Sequence, residues 1–139
     1  MPMKRARLLS LPHGCVATSP NVSTTYYFGI TSAPMVTTTG IRRMYIPKQG
    51  IIRIAEIWSD STLLAGSNES WTMQIRLNGT TNYTIASTAT ANEFRSWLNY
   101  NMNIPVVPGD YVELRTATPN WATPPQGVTC SGCIVIEVP

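Results

Sequence analysis

Three cysteines and one histidine are the residues of this sequence whose types could bind a metal ion or carry redox chemistry. Cys130 and Cys133 form a C-x-x-C pair, while His13 and Cys15 lie close together near the start of the chain. A structural zinc ion takes four ligands, so all four residues would have to meet in the fold. Three cysteines are also too few for a disulfide framework. We therefore predict reduced thiols beside a terminal strand, and neither a metal nor another cofactor.

The remaining candidates for acid–base chemistry are seven carboxylates, namely Glu56, Asp60, Glu69, Glu93, Asp110, Glu113 and Glu137. No nucleophile motif, phosphate-binding loop or histidine–carboxylate spacing accompanies them. Two of them could act as a glycosidase pair if the fold brings them together. However, Asp110 belongs to a turn, and Glu113 and Glu137 alternate with apolar residues as solvent-facing strand positions do. We therefore predict a protein without catalytic activity.

Two tryptophans are candidates for binding a partner. Trp97 falls on the polar side of a predicted strand, among asparagines, and Trp121 lies in a proline-rich loop at residues 117–131. An exposed tryptophan among polar residues can anchor a protein partner or a sugar. The alternative is that each ring packs under a loop or against a strand edge.

Arg42 and Arg43 are candidates for an interface because they are adjacent in a predicted strand. Neighbouring strand residues point to opposite sides, so one arginine would face the core unless the strand lies at a sheet edge. Paired arginines on an edge strand could meet an acidic partner surface. A solvated edge without a partner is the alternative.

The N-terminal segment, residues 1–25, is predicted to be an extended arm. It begins with a stretch without acidic residues that carries three cations and three leucines, namely Lys4, Arg5, Arg7, Leu8, Leu9 and Leu11. Such a terminus is disordered when alone and can become ordered on a partner, with the charges meeting an acidic surface and the leucines filling grooves. A tail without a partner is the alternative.

Charge and hydropathy exclude two classes of partner. The net charge is +3, and three of the ten basic residues lie in the arm, so the rest of the chain is neutral. Nucleic-acid binding needs a cluster of uncompensated cations, which a neutral body lacks. We therefore predict no nucleic-acid partner. No apolar run approaches 18 residues and no signal peptide is visible, so we also predict no membrane partner. Charged residues make up only 12% of the chain, which favours a protein that works in an assembly.

Period-two alternation of apolar and polar residues predicts strands throughout the chain. The predicted strands are residues 26–31, 41–46, 51–58, 71–77, 81–86, 94–104, 111–116 and 133–138. Asn78-Gly79 predicts a tight hairpin, and Pro108-Gly109 predicts a second turn. In the strand 94–104, the alternation assigns Phe94 and Leu98 to the core side. About eight strands at regular spacing predict an all-β fold, a single antiparallel sandwich of jelly-roll type over residues 26–139.

Two segments resemble a known class of module. Arg76-Leu77-Asn78-Gly79 and the stretch Val-Pro-Gly-Asp-Tyr-Val-Glu-Leu at residues 107–114 are similar to motifs of jelly-roll modules of the tumour-necrosis-factor and complement-head type. Such modules occur in phage and bacterial structural proteins. The resemblance covers roughly residues 41–139, and its motifs are mostly turn chemistry.

The resemblance implies a virion structural protein, most similar to the proteins that decorate and cement tailed-phage capsids. It implies a homodimer or homotrimer on the outer surface of the capsid, made in the host cytoplasm, that bridges neighbouring subunits of the major capsid protein. The alternative is the trimeric receptor- or carbohydrate-binding head of a phage tail fibre. The residues before the first predicted strand show no heptads of a fibre shaft, which favours the first interpretation. A secreted signalling or adhesive jelly roll is a third possibility, which the lack of a visible signal peptide disfavours.

Overall fold

The computed structural model describes residues 7–30, 33–61, 69–89 and 93–139, which form ten β-strands and no helix. The strands are β1 (Arg7–Thr18), β2 (Thr25–Phe28), β3 (Met44–Tyr45), β4 (Gly50–Asp60), β5 (Ser70–Leu77), β6 (Thr81–Ala89), β7 (Phe94–Asn99), β8 (Ile104–Val106), β9 (Tyr111–Ala117) and β10 (Val128–Val138). In the described part of the chain, no helix could cross a membrane.

The strands form two antiparallel sheets that pack face to face. The first sheet has the order β1-β10-β4-β7, with β8 also paired to β4. The second has the order β2-β9-β5-β6, with β3 also paired to β9. When β2 with β3 and β7 with β8 each count as one position, the eight positions follow the orders 1-8-3-6 and 2-7-4-5. This is the strand order of a jelly roll, so the predicted fold is confirmed.

Two of the predicted turns join strands as expected. Asn78 and Gly79 connect β5 to β6 and both have positive φ, 53° and 67°, as a tight hairpin requires. A side chain at position 79 would also meet the Tyr111 hydroxyl at 2.7 Å. Gly109, with φ 94°, lies in the turn between β8 and β9. These turns set the register of their hairpins and so decide which side chains face the core.

The core between the sheets contains a cluster of three tryptophans. The rings of Trp97 and Trp121 both meet the ring of Trp71 edge to face, at centroid distances of 5.2 and 5.0 Å. The indole N–H of Trp97 donates to the carbonyl of Trp71 at 2.7 Å, which satisfies its buried polar atom. Trp97 and Trp121 are therefore core residues, and their predicted role as exposed anchors is wrong.

The error at Trp97 has a local cause. Within β7, Arg95 and Trp97 point inward, whereas Phe94 and Leu98 point outward. Residues 100–103 interrupt the predicted strand 94–104, and Asn103 has a φ of 55°. Before the interruption the inward positions have odd numbers, such as Trp97, and after it they have even numbers, such as Ile104. Alternation continued from Ile104 back through residues 100–103 therefore assigns the wrong face to β7.

The prediction of an arm over residues 1–25 is wrong from Arg7 onward, because residues 7–18 form β1. This strand pairs with β10 from Arg7 opposite Val138 to Thr18 opposite Val128. Leu9 and Leu11 face inward and pack against the core, and Leu8 faces outward. The alternating pattern in β1 includes a proline, a histidine and a glycine, which concealed it. Lys4 and Arg5 lie outside the described residues.

Candidate functional site

The outer side of the first sheet is an exposed surface rich in apolar side chains, which we call the apolar face. Its members come from β1, β10, β4 and β7 and from the bend after β7: Leu8, Pro12, Cys133, Val135, Ile54, Trp58, Phe94, Leu98 and Tyr100. Four of these are large and strongly exposed, at 66% for Leu8, 51% for Trp58, 73% for Phe94 and 61% for Tyr100. Contiguous apolar exposure of this kind marks an interaction site.

Strand register fixes the geometry of the apolar face. One row across the sheet reads Pro12, Cys133, Glu56 and Leu98, and the next reads Gly14, Ser131, Trp58 and Ser96. Because residues opposite each other on antiparallel strands have Cβ atoms about 5 Å apart, the members of a row are in contact range. The small residues beside Trp58 leave its ring standing above the sheet.

Few charges interrupt the apolar face. Glu56, near its centre, accepts a hydrogen bond from the Tyr100 hydroxyl, and this bond raises the pKa of Tyr100. At one end, Arg53 and Glu137 form an ion pair with an N–O distance of 3.3 Å. These carboxylates therefore have partners within the same chain. The middle of the face presents apolar groups with little net charge.

A groove lies at the opposite end of the apolar face and has a volume of about 310 Å³. The rings of Trp58 and Phe94 form its walls. Asp60 and the buried residues Ser59 and Arg95 also line it, together with Ser96, Thr129 and Ser131. The groove thus combines two exposed aromatic rings with a carboxylate, the hydroxyl-bearing residues Ser96, Thr129 and Ser131, and a buried arginine.

The outer side of the second sheet has the opposite character, and we call it the polar face. Its side chains form hydrogen bonds across the strands. They join Thr72 to Ser87 at 2.6 Å, Arg76 to Asn82 at 2.9 Å and Gln74 to Thr84 at 3.3 Å. Arg115 also donates to Gln74. The donors and acceptors of this face are therefore largely satisfied within the chain.

A loop covers part of the polar face and is held there by a buried carboxylate. Glu113 on β9 is fully buried and accepts hydrogen bonds from the backbone N–H of Gly40 and the hydroxyl of Thr39, all at 2.9–3.0 Å. Glu113 therefore fixes the loop, and its expected exposure to solvent is wrong. The predicted alternation did place it correctly on the outward side of its strand.

Arg42 and Arg43 lie in this loop before β3, so their predicted position within an edge strand is wrong. The Arg43 guanidinium lies 4.2 Å from the centre of the Tyr111 ring and donates to the carbonyl of Gly40 and the hydroxyl of Tyr45. Arg42 donates to the carbonyl of Pro34 at 3.4 Å. Both arginines are thus engaged within the chain, and neither belongs to the apolar face.

Sequence reasoning missed Trp58 and the outward position of Phe94. The signal was present in β4, where both alternating sets are rich in apolar residues: Ile52, Ala55 and Ile57 face inward, and Ile54 and Trp58 face outward. Strands that are apolar on both sides are typical of sheets covered on both faces. Applied to β4, this rule predicts that a partner buries the outer face of the sheet.

The fold brings together only some of the cysteine and histidine residues that were considered as possible metal ligands. Among the described residues, no group of three or more histidine, cysteine, aspartate or glutamate side chains could hold a metal ion. Cys15 and Cys130 are both buried and lie opposite each other in β1 and β10, whereas Cys133 faces outward. His13 is buried beside Phe28, and burial lowers its pKa to about 4.

No protein-family model and no curated protein matches this sequence. Among solved structures, the chain is similar to one described as the structure of infectious bursal disease virus Gx strain. The match has a TM-score of 0.49 and 11% sequence identity, and it covers 97% of this chain and 33% of that chain. The chain thus spans about a third of the length of the matched chain. The strand order alone carries the jelly-roll assignment.

Proposed function

We propose that this protein is a virion structural protein that decorates and cements a tailed-phage capsid. It acts as a homo-oligomer whose subunits pack through the apolar face and bridge neighbouring subunits of the major capsid protein. The observation that carries the proposal is the contrast between the apolar face and the polar face of one sandwich. The tailed-phage setting comes from the resemblance of residues 76–79 and 107–114 to jelly-roll modules of phage structural proteins.

The size of the apolar face fits a shared interface. Four strands about 4.8 Å apart and seven residues rising about 3.4 Å each give a face of roughly 20 Å by 20 Å. Each partner of a standard interface buries about 800 Å², so the face supplies roughly half of that area as its apolar centre. Flanking loops supply the remainder. Exposed Trp58 is of a residue type that dominates binding energy in such centres, and aromatic residues such as Phe94 are enriched there.

A second copy of this chain is the best partner for the apolar face because the face carries little charge. Its central carboxylate, Glu56, is bonded to Tyr100, and Arg53 is paired with Glu137 at the margin. An acidic or basic partner would find no complementary charge there.

The test is co-sedimentation with bare tailed-phage capsids that lack decoration proteins. We expect saturable binding of the wild-type protein and a higher temperature of capsid disruption. Trp58→Lys places a charge on the apolar face, in the row next to that of Glu56, and should abolish the stabilisation. Thr84→Lys places the same charge on the polar face, at an exposed position, and should leave it intact.

Two results would contradict the proposal. One is wild-type protein that neither sediments with capsids nor raises their resistance to heat. The other is Trp58→Lys protein that stabilises capsids as well as the Thr84→Lys control does, which would show that the apolar face has no part in the activity.

The groove at Trp58 and Phe94 favours a second candidate function, the carbohydrate-binding head of a tail fibre. Aromatic rings stack on the apolar faces of sugar rings, while carboxylates and hydroxyls such as those of Asp60 and Ser131 bond sugar hydroxyls. This candidate predicts binding to glycans and host cells but not to capsids. Asp60→Asn separates the two functions, because it should weaken glycan binding and leave an interface centred on Trp58 and Leu98 in place.

A further inference from the structure

Cys15 and Cys130 form a pair that neither the fold nor the proposed function requires. Cys15 lies on β1 and Cys130 on β10, the first and last strands of the chain, directly opposite each other in the register. Both side chains point into the sandwich, and each residue is 3% exposed. The Cys15 thiol donates to the carbonyl of Val128 at 3.9 Å, and the interaction between the two thiols shifts the pKa of each.

The hydrogen-bond pattern of the backbone around this pair sets the expected separation of its two Cα atoms. The N–H groups of Gly14 and Val16 point away from β10 and donate to the carbonyls of Gly29 and Ala33. Cys15, between them, therefore directs its backbone groups toward Cys130, as in a hydrogen-bonded antiparallel pair. Such pairs have Cα atoms about 5.5 Å apart, which lies within the range of about 4.4–6.8 Å found for disulfides.

We propose that Cys15 and Cys130 are a modification site, at which a small-molecule disulfide such as oxidised glutathione converts the two thiols into an intramolecular disulfide. The bond fastens the edge strand β1 to β10. This inference goes beyond the proposed function and does not depend on it.

The environment of the pair assigns a role to each thiol. A hydrogen bond from Cys130 lowers the pKa of Cys15, and the same contact together with burial raises the pKa of Cys130. Because the thiolate is the nucleophile, Cys15 attacks first. It bonds to one sulfur of the small-molecule disulfide, whose S–S bond breaks and releases one thiol after protonation.

The second step closes the bond within the chain. Cys130 loses its proton to water and attacks the sulfur of Cys15 in the mixed disulfide, which releases the second small thiol. Two protein thiols are oxidised and one small-molecule disulfide is reduced to two thiols. Because both cysteines are buried, the reaction requires local opening of β1, which lies at the edge of the first sheet.

The experiment treats the full-length protein with oxidised glutathione under native conditions, then unfolds it and alkylates the remaining free thiols. The fully reduced protein should take up three alkyl groups, one for each cysteine. The oxidised wild-type protein should take up at most one, because the outward-facing Cys133 can itself react with glutathione. The Cys133→Ser variant should take up none, and should be about 2 Da lighter than its own reduced form before alkylation. Peptide mapping should join Cys15 to Cys130. The melting temperature should rise by roughly 10 °C, because the bond restricts the unfolded chain.

Variants keep the test decisive. Cys133→Ser should oxidise as the wild type does, and Cys15→Ser should form no intramolecular bond. Three alkylated cysteines after prolonged treatment of folded protein would overturn the inference. A bond that includes Cys133, within one chain or between two, would overturn it as well. So would a Cys15–Cys130 bond that lowers the melting temperature.

Discussion

The two outer faces of this sandwich are built on similar sheets but treat their side chains differently. On the polar face, side chains such as Thr72, Ser87, Arg76 and Asn82 bond one another across strands. On the apolar face, large rings such as that of Trp58 project into solvent. The side chains of the polar face satisfy most of their hydrogen bonds within one chain, whereas burial of the apolar face against a partner lowers the free energy of the protein. A jelly roll that exposes apolar side chains on one sheet only has one face suited to assembly.

The largest change in stability is expected from replacing Trp97, which faces the core from the first sheet, and it differs in kind from the effect of replacing Trp58, which faces outward. Trp97→Ala should lower the free energy of unfolding by about 4 kcal/mol at every protein concentration, because it removes a buried ring from the core. Trp58→Ala should instead remove the dependence of the unfolding midpoint on protein concentration, because it weakens association. Urea unfolding at several concentrations measures both.

The Trp58 variant gives the more decisive test of the contrast between inner and outer positions. If the midpoint of the wild-type protein does not depend on concentration, or if Trp58→Ala lowers stability as much as Trp97→Ala does, the contrast between inner and outer positions fails.

Acid should weaken the protein through His13, on the inner side of β1. The folded-state pKa of His13 is about 4 because of burial, below its ordinary value of 6.5, and the nearby carbonyl of Glu56 offsets this only in part. Protonation therefore favours the unfolded chain. The contribution of His13 is complete above pH 6.5 and falls by about 3 kcal/mol as the pH drops toward 4. Urea unfolding between pH 7 and pH 4 measures this loss.

His13→Gln should reduce this acid sensitivity, because the variant side chain does not titrate. Carboxylates titrate in both proteins, so the difference between the two pH profiles isolates His13. Profiles of equal slope between pH 6.5 and pH 4 would contradict the assignment.

Glu113→Gln tests whether the buried carboxylate of the polar face holds its loop. The variant loses the charge that strengthens the bonds from Gly40 and Thr39, and we expect a loss of about 2 kcal/mol in the free energy of unfolding. Association should be unchanged, because the polar face takes no part in it. Unchanged stability together with weakened association would reverse the roles that we assign to the two faces.

The smallest effect is expected for the exposed pairs of the polar face. Thr72→Ala should cost about 0.5 kcal/mol, since a solvated hydroxyl pair contributes little. A double-variant cycle with Ser87→Ala measures the interaction between the two hydroxyls. A coupling near zero would show that these bonds add nothing beyond what solvent provides.

Much of the fold could be predicted from local sequence, because alternation and turn chemistry are local signals. The Asn78-Gly79 hairpin and the strands on either side of it illustrate this. β1 was missed because Pro12 and Gly14 disguise a strand that long-range pairing with β10 stabilises. Contacts between chain ends leave no local pattern.

The functional surface was harder to predict than the fold. Trp97 and Trp58 each lie between a serine and an aliphatic residue, and only the register of their strands decides that one is buried and the other exposed. In β7 the interruption at residues 100–103 changed that register relative to β8. Arg43 is exposed, and its guanidinium lies over Tyr111, a contact that depends on loop closure and that the sequence does not indicate.

The most direct test of the central claim is the mass of the protein in solution, measured by light scattering after gel filtration. The account predicts a mass that is an integral multiple of the 15.3 kDa chain for the wild type and for Thr84→Lys, and a single-chain mass for Trp58→Lys. A wild-type protein that remains at 15.3 kDa across the accessible concentrations would contradict it. So would a Trp58→Lys variant that assembles like the wild type.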